Sequence, residues 1–197
     1  MNLRPLSPLQ SRAGISLAFA ALCGLLLAPG CATQSPVTAA APAVSYLVSR
    51  DGTLRYRMPA GWFDAGEDSL SADRQVWLVR GDYAGSLTVR QVHTRAVEKT
   101  DLEGEGLLQV AKLTAALETS QKPGILAREP DQTRVNGRDA ASYDVVYSGS
   151  GDKTRTVLIA AEGKVYAVTA LVNGAAPADA GKEIFGVLQS FLGALRW

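Results

Sequence analysis

Side chains that could do chemistry are few in this chain of 197 residues. His93 is the only histidine, so a zinc site built from several histidines is excluded. A Ser-His-Asp triad would need the same residue. Ser150, the Gly-flanked serine of SGSGD, lacks the G-x-S-x-G pattern of a nucleophile elbow. We therefore expect His93 to be a half-exposed strand residue and not a catalytic base.

Three acidic residues, Asp101, Glu103 and Glu105, lie close together in the sequence. They could be interpreted as paired carboxylates of an acid/base catalytic site. They also follow Thr100, and the segment Thr100–Glu103 has the pattern of a capping box at a helix start. We therefore predict that they cap a helix and complement its dipole. The chain has no calcium-loop motif and no phosphate-binding glycine loop between a strand and a helix. We expect no metal, no cofactor and no enzymatic activity.

The two cysteines belong to an N-terminal segment unlike the rest of the chain. Arg4 and Arg12 are its only charges before an apolar run over 15–28, which Pro29-Gly30 then interrupts. An apolar run of about 7–15 residues behind a positive flank is typical of a secretion signal. A membrane-spanning helix needs about 20 apolar residues. A short membrane anchor and a disulfide between Cys23 and Cys31 are the alternatives.

The stretch Leu27-Ala28-Pro29-Gly30-Cys31 resembles the lipobox of bacterial lipoproteins, in which a small residue precedes an obligatory cysteine. The resemblance implies that residues 1–30 are removed as a signal peptide. It further implies that Cys31 is lipidated on sulfur and acylated on its new N-terminus. Because Ala32 and not Asp follows, it also implies delivery to the outer membrane, facing the periplasm, in a host with two membranes. No thiol then remains for a disulfide in the mature chain.

Composition and charge narrow the classes of partner. The chain is 47% hydrophobic and 20% charged, with a net charge of +1. Loss of Arg4 and Arg12 with the signal takes 20 basic residues to 18 against 19 acidic ones, a net charge of −1. No basic stripe is present, so we expect no nucleic-acid partner. Residues 31–45 combine Cys31 with small, polar and proline residues, and we predict a lipidated cysteine followed by a flexible tether.

From Tyr46 onwards, alternating apolar and polar residues separated by turn signals predict an α+β domain of antiparallel hairpins. One helix is predicted in the middle, beginning at the capping box and ending at 122–124, with Leu107, Val110, Ala111, Leu113 and Leu117 on its apolar side. A second, C-terminal helix is predicted from Pro177 onward, with Ile184, Leu188 and Phe191 facing the sheet. The predicted strands are Leu54–Met58, Val76–Val79, Leu87–Val92, Ile125–Val135, Asp139–Tyr147, Arg155–Ala161 and Lys164–Val172.

This order of elements resembles the PsbP-like superfamily over nearly all of residues 46–197. The resembling segments are RMPAGW at 57–62, the strand pair over 76–92, the Asn136-Gly137 turn and the closing IFGVLQSFLGALRW at 184–197. The resemblance implies an antiparallel sheet sandwiched between helices. It also implies a binding or assembly module, and not an enzyme.

Aromatic residues offer the candidate binding surface. Trp62 and Phe63 follow a Pro-Gly break, and Trp77 lies on a neighbouring predicted strand. Core packing is the competing interpretation of all three. Loops at 64–74 and 81–85 could extend such a surface.

Two functions fit these residues. The first is a lipid-anchored, non-enzymatic module that binds an envelope protein or glycan, and it predicts an exposed apolar patch. The alternative is a small-ligand carrier or enzyme that uses a pocket between sheet and helix. That alternative predicts a polar pocket with perturbed titratable groups.

Overall fold

One antiparallel sheet of seven strands runs through the domain, with a helix on each face. The computed structural model describes residues 45–68, 73–93 and 104–197. Cys31, the predicted signal peptide and the predicted tether as far as residue 44 lie outside these ranges. The strands are β1 (Leu47–Val48), β2 (Arg55–Tyr56), β3 (Trp62–Asp64), β4 (Arg74–Arg80), β5 (Gly85–Val92), β6 (Gly124–Val135), β7 (Arg138–Tyr147), β8 (Lys153–Ala161) and β9 (Lys164–Val172); the helices are a 3₁₀ turn at Gly66–Asp68, α1 (Glu105–Gln121) and α2 (Ala180–Ala194).

The sheet is antiparallel, with the strand order β3-β4-β5-β9-β8-β7-β6, and short turns join β4 to β5, β6 to β7, β7 to β8 and β8 to β9. Asn136 and Gly137 join β6 to β7 with φ of 52° and 79°, the left-handed conformation that a two-residue hairpin of this type requires. Glu162 and Gly163 join β8 to β9 with φ of 51° and 71°. The pairing of β9 with β5 then connects the two groups of hairpins into one sheet.

Two hydrophobic cores lie on opposite faces of the sheet. The larger lies under α2 and includes Leu78, Leu87 and Val168 from the sheet. The smaller lies under α1 and includes Ala141, Tyr143 and Val145 from β7. Alternation along each strand sends successive side chains to opposite faces, so one strand serves both cores.

The C-terminal helix α2 buries the residues predicted for its inner face. Ile184 and Leu188 are fully buried and Phe191 is 3% exposed; each such side chain stabilises the fold by about 1.5–3 kcal/mol. Pro177 lies in the turn before the helix and not in its first turn, and its carbonyl accepts a hydrogen bond from Ala180 at 3.0 Å. Neither helix among the described residues has the length and apolar character to cross a bilayer.

The central helix α1 begins at Glu105 and ends at Gln121, just before the predicted stop. The predicted capping residues at 100–103 lie outside the described residues. Gly104, which a helix beginning at the predicted capping box would include, instead precedes the helix with φ of 48°, a backbone conformation that disfavours other residues. Its N–H donates to Asp139 at 3.2 Å, which fastens the helix start to β7.

The N-terminal hairpin is shorter than predicted, because only Arg55–Tyr56 of the expected Leu54–Met58 strand pairs with β1. Arg55 also forms a pair of backbone hydrogen bonds with Arg196, at 2.8 and 3.0 Å. Trp62 and Phe63, which follow the Pro-Gly break, start the edge strand β3. The backbone after the Pro-Gly break is extended and pairs with β4.

Candidate functional site

An open cleft of ≈390 Å³ lies between α1 and the face of the sheet beside it. α1 packs mainly over β6, β7 and β8. Within the described ranges, no helix covers the same face of β4 and β5, and the cleft occupies this position. Its volume falls within the range of about 300–1,000 Å³ that ligand pockets occupy.

The floor of the cleft is a row of side chains that crosses the strands. Trp77 on β4 is the cross-strand partner of Thr88 on β5, and Thr88 is that of Thr169 on β9. Thr156 on β8 and Tyr143 on β7 continue the row. Directly opposite residues of antiparallel strands project to the same face. The row therefore runs from the half-buried indole at the open side to a fully buried phenol under α1.

Glu118 on α1 forms the helix wall and accepts three hydrogen bonds from the sheet. The Tyr143 hydroxyl donates to its Oε2 at 2.8 Å, and Tyr147 and Thr154 donate to its Oε1, the latter at 3.4 Å. Burial, reinforced by the Glu118 carboxylate, raises the pKa of Tyr143 and of Tyr147 well above the usual value. Both phenols stay protonated and serve as donors that hold the carboxylate in place.

Three cations line the same cleft. The Arg74 guanidinium carbon lies 4.7 Å from the centroid of the Trp77 ring, and Lys122 Nζ lies 5.7 Å from the centroid of the Tyr147 ring. Arg90 is exposed on β5. The cleft thus combines an indole, hydroxyls, three cations and one carboxylate. Such a set of groups can hold a polar ligand by stacking, hydrogen bonds and charge.

Two leucines predicted for the core side of the central helix are exposed instead. Leu113 is 56% exposed and Leu117 is 53% exposed, while Leu107, Val110, Ala111 and Ala115 are buried. The buried set lies on one side of α1, and the two leucines lie on the flank that faces away from β6 and β7. Leu117 lines the cleft, so an apolar edge of the helix borders its polar interior.

The three aromatics predicted as a binding surface are divided between the two faces of the sheet. Trp62 is 8% exposed and packs in the core under α2, so it lines no surface. Phe63 is 40% exposed and meets the 69% exposed Tyr83 edge-on, with 6.0 Å between ring centroids. Trp77 lies on the same face of the sheet as Phe63, because Phe63 pairs with Val79, two residues further along β4.

The structure describes only part of the two loops, residues 64–74 and 81–85, that could extend the aromatic surface. Residues 81–85 form the β4–β5 turn that carries Tyr83, whose φ is 60°. Of residues 64–74, the part at 69–72 lies outside the described residues. A second cavity of ≈400 Å³ lies beside the 3₁₀ turn, and Arg74 and Trp77 line it as well as the cleft.

The described structure does not bring the other candidate catalytic side chains together. His93 is exposed directly after β5 and Ser150 lies in the β7–β8 turn. Glu105 is exposed at the start of α1, and Asp101 and Glu103 lie outside the described residues. Over residues 45–68, 73–93 and 104–197, no group of three or more histidine, cysteine or acidic side chains could hold a metal ion.

The sequence pattern does not predict that Arg74, Thr88, Arg90, Glu118 and Thr169 form one site. A signal is nevertheless present in β5, where Ser86, Thr88 and Arg90 alternate with the buried Leu87 and Val89. A central strand that is covered by helices on both faces is apolar on both. Polar residues on the second face of β5 therefore indicate that this face is not covered.

Comparison with known proteins supports the fold alone. No protein-family model matches the chain, and no curated protein matches it in sequence. The Ran-binding protein Mog1p of Saccharomyces cerevisiae is similar in structure, with a TM-score of 0.54 and 13% identity over 77% of this chain and 94% of that one. Cyanobacterial PsbP (CyanoP) from Synechocystis sp. PCC 6803 is also similar, with a TM-score of 0.52 and 9% identity over 77% and 91% of the two chains. The domain therefore has the α+β fold of PsbP and Mog1p, as the order of its elements predicts.

Proposed function

We propose that the protein is a lipid-anchored component of the cell envelope, attached through Cys31. Residues 1–30 act as the signal peptide, residues 31–45 as lipidated cysteine and tether, and residues 46–197 as the PsbP-like domain. The proposal is supported by the charged flank, the apolar run and the Gly30-Cys31 junction. In a host with two membranes, the domain faces the periplasm from the outer membrane. Several acyl chains, at about 0.8 kcal/mol per buried CH₂, make such an attachment stable.

We further propose that the domain is a non-enzymatic binding module and that the cleft between α1 and the sheet is its binding site. One observation carries this proposal: an indole, a row of threonine hydroxyls and three cations converge on one open cavity. The hydrogen-bond donors of Tyr143 and Tyr147 are taken by Glu118, and their raised pKa keeps them protonated. A polar cleft with perturbed titratable groups is the feature expected of the alternative, a small-ligand carrier or enzyme. Because these tyrosines and Glu118 hold the helix in place, we propose that the cleft binds a ligand and does not catalyse a reaction.

A protein partner is a second candidate, and the Phe63–Tyr83 pair favours it. The two rings are exposed together at one edge of the sheet, with Phe63 on the edge strand β3. Aromatic side chains are enriched in protein interfaces, because they bury a large area with few rotatable bonds. This candidate uses the same face of the sheet as the cleft but different residues.

The two candidates are separated by in-cell cross-linking followed by affinity purification of the full-length protein from the envelope fraction. We expect an envelope component to be recovered with the wild type and with Phe63→Ala, and to be lost with Trp77→Ala. Thr88→Gln, which places a longer side chain in the cleft, should also lose it. If the envelope component is lost with Phe63→Ala and retained with both cleft variants, the aromatic pair and not the cleft is the binding site. A melting curve of each variant shows whether it is folded.

Attachment is tested separately by mass spectrometry of the mature N-terminus. We expect a lipidated Cys31 as its first residue. We also expect Cys31→Ser to abolish cleavage and lipidation. An unmodified Cys31 in a chain that still begins at Met1 would contradict the lipoprotein assignment.

A further inference from the structure

Two arginines occupy paired positions on neighbouring strands at the open end of the cleft. Arg74 is the first residue of β4 and Arg90 lies near the end of β5. The register pairs them across the strands, beyond an irregularity between Arg74 and Val76. Both line the cleft. Like charges directly opposite one another on antiparallel strands destabilise the pairing. Among the described residues, no carboxylate forms an ion pair with either arginine.

Arg74 also has hydrogen-bonding capacity that the described residues do not use. Its Nε is buried and has no acceptor among them. Its guanidinium lies over the Trp77 ring, which fixes its position without neutralising its charge. A guanidinium held by an aromatic ring retains donors whose geometry suits a carboxylate or a phosphate.

The balance of charge around the cleft is positive. Arg74, Arg90 and Lys122 supply three positive charges, and Glu118 is the single carboxylate among the described residues that line it. The oxygens of Glu118 already accept hydrogen bonds from Tyr143, Tyr147 and Thr154. Among the described residues, an anionic group is therefore the complement that this cleft lacks.

The floor beside the arginines suits a sugar ring. Trp77 is half-buried and has Thr88 as its neighbour across the strand, followed by Thr169. The Thr169 and Thr156 hydroxyls lie 3.0 Å apart and already share one hydrogen bond. Hydroxyl groups both donate and accept, as those of a saccharide do. The Arg74 guanidinium covers one face of the indole, so a sugar ring would lie beside the indole, against Thr88.

We propose that the cleft binds an acidic saccharide, with the carboxylate or phosphate group between Arg74 and Arg90 and a sugar ring beside Trp77, against Thr88. This inference rests on the proposed function, because it takes the cleft as the binding site. It adds the charge and the chemical class of the ligand. The bound anion would neutralise two like charges carried by residues at paired positions of the two strands.

The test uses the full-length protein, purified in detergent from the envelope fraction, on an array of uronic acid and phosphorylated oligosaccharides with their neutral counterparts. We expect the acidic members to be retained at least tenfold better than the neutral ones. Arg74→Gln and Arg90→Gln should each weaken this retention at least fivefold. Arg134→Gln is the matched control, since that arginine is 76% exposed on β6, and it should leave retention unchanged.

The outcomes separate this inference from the function on which it rests. Equal retention of neutral and acidic members, or retention that neither cleft arginine affects, would overturn the acidic ligand while leaving the cleft as a binding site. Retention of no saccharide, with binding to phosphatidylglycerol vesicles or capture of a protein at the cleft instead, would overturn it too. The proposed function itself fails only if variants in the cleft leave envelope binding intact.

Discussion

The Tyr143 hydroxyl on β7 donates to Oε2 of Glu118 on α1 at 2.8 Å, at the boundary between the smaller core and the open cleft. Tyr143 is fully buried and belongs to that core, whereas Glu118 also lines the cleft. One hydrogen bond therefore joins packing to the candidate site. Together with the buried residues of α1, it is consistent with the rotation of the helix that leaves Leu113 and Leu117 exposed.

Replacing Glu118 tests how firmly this network holds the helix. Glu118→Ala leaves the buried Tyr143 hydroxyl without its acceptor, and an unsatisfied buried polar group costs about 1–3 kcal/mol. We expect the free energy of unfolding, measured in urea, to fall by that amount. Gln109→Ala changes an exposed residue of the same helix and should alter it by less than about 0.5 kcal/mol. Equal effects of the two variants would show that the network contributes nothing.

Stability at alkaline pH should depend on the same residues. Burial and the Glu118 carboxylate raise the pKa of Tyr143 and Tyr147 in the folded protein. A raised pKa contributes stability that is fully present below the unfolded value of about 10 and is lost as the pH rises above it. We expect the free energy of unfolding to fall above about pH 10. Glu118→Gln removes the carboxylate charge and should reduce this loss of stability. The absorbance of tyrosinate, measured as the pH is raised, reports the deprotonation of the tyrosines directly.

The contact of α2 with β5 is tested at Gly85. A Cβ at this position would lie 2.5 Å from the Leu171 carbonyl oxygen and 2.6 Å from Cδ1 of Ile184. We expect Gly85→Ala to destabilise the protein by about 1–3 kcal/mol, because backbone and helix must both move. Gly186→Ala is the matched control on α2, where a Cβ meets nothing within 4 Å. It should stabilise by up to about 1 kcal/mol through helix propensity. A neutral Gly85→Ala would contradict this packing.

Asp144 should control stability at acid pH. Burial alone would raise the pKa of its carboxyl, but Arg155 and Arg128 hold it below the usual value through hydrogen bonds at 2.7 and 2.9 Å. A lowered pKa contributes stability that is present above the unfolded value of about 3.9 and is lost as the pH falls through the folded one. Asp144→Asn should lower the free energy of unfolding at pH 7 by about 1–3 kcal/mol and flatten the profile below pH 4.

The control for that experiment is Asp131→Asn, at an exposed position of β6. It should leave both the stability at neutral pH and the acid profile close to those of the wild type. A wild-type acid profile in Asp144→Asn would mean that the ion pair with Arg155 does not contribute.

Much of the fold follows from local sequence signals. The Asn136-Gly137 turn sets the β6–β7 hairpin because both residues adopt positive φ, and the apolar spacing of Ile184, Leu188 and Phe191 places α2 on the sheet. These features depend on residues a few positions apart. The fold class was therefore predictable from the sequence.

The site was predictable only in part. The row from Trp77 through Thr88 to Thr169 depends on the register of β5 with β9, a pairing between distant parts of the chain that no local pattern encodes. Leu113 and Leu117 have the spacing of a buried face, yet the rotation of α1 exposes them. Trp62 and Phe63 are adjacent in sequence, and strand geometry sends them to opposite faces.

Site-specific photo-cross-linking in living cells tests the cleft as the binding site most directly. In one strain, a photoreactive residue replaces Thr88 on the floor of the cleft. In a second strain, it replaces Lys182, which is exposed on α2 at the opposite face of the sheet. We predict that Thr88 captures an envelope component, that Lys182 does not, and that Trp77→Ala removes the adduct. Capture at Lys182 without capture at Thr88, or an adduct at Thr88 that Trp77→Ala leaves unchanged, would contradict the cleft as the binding site.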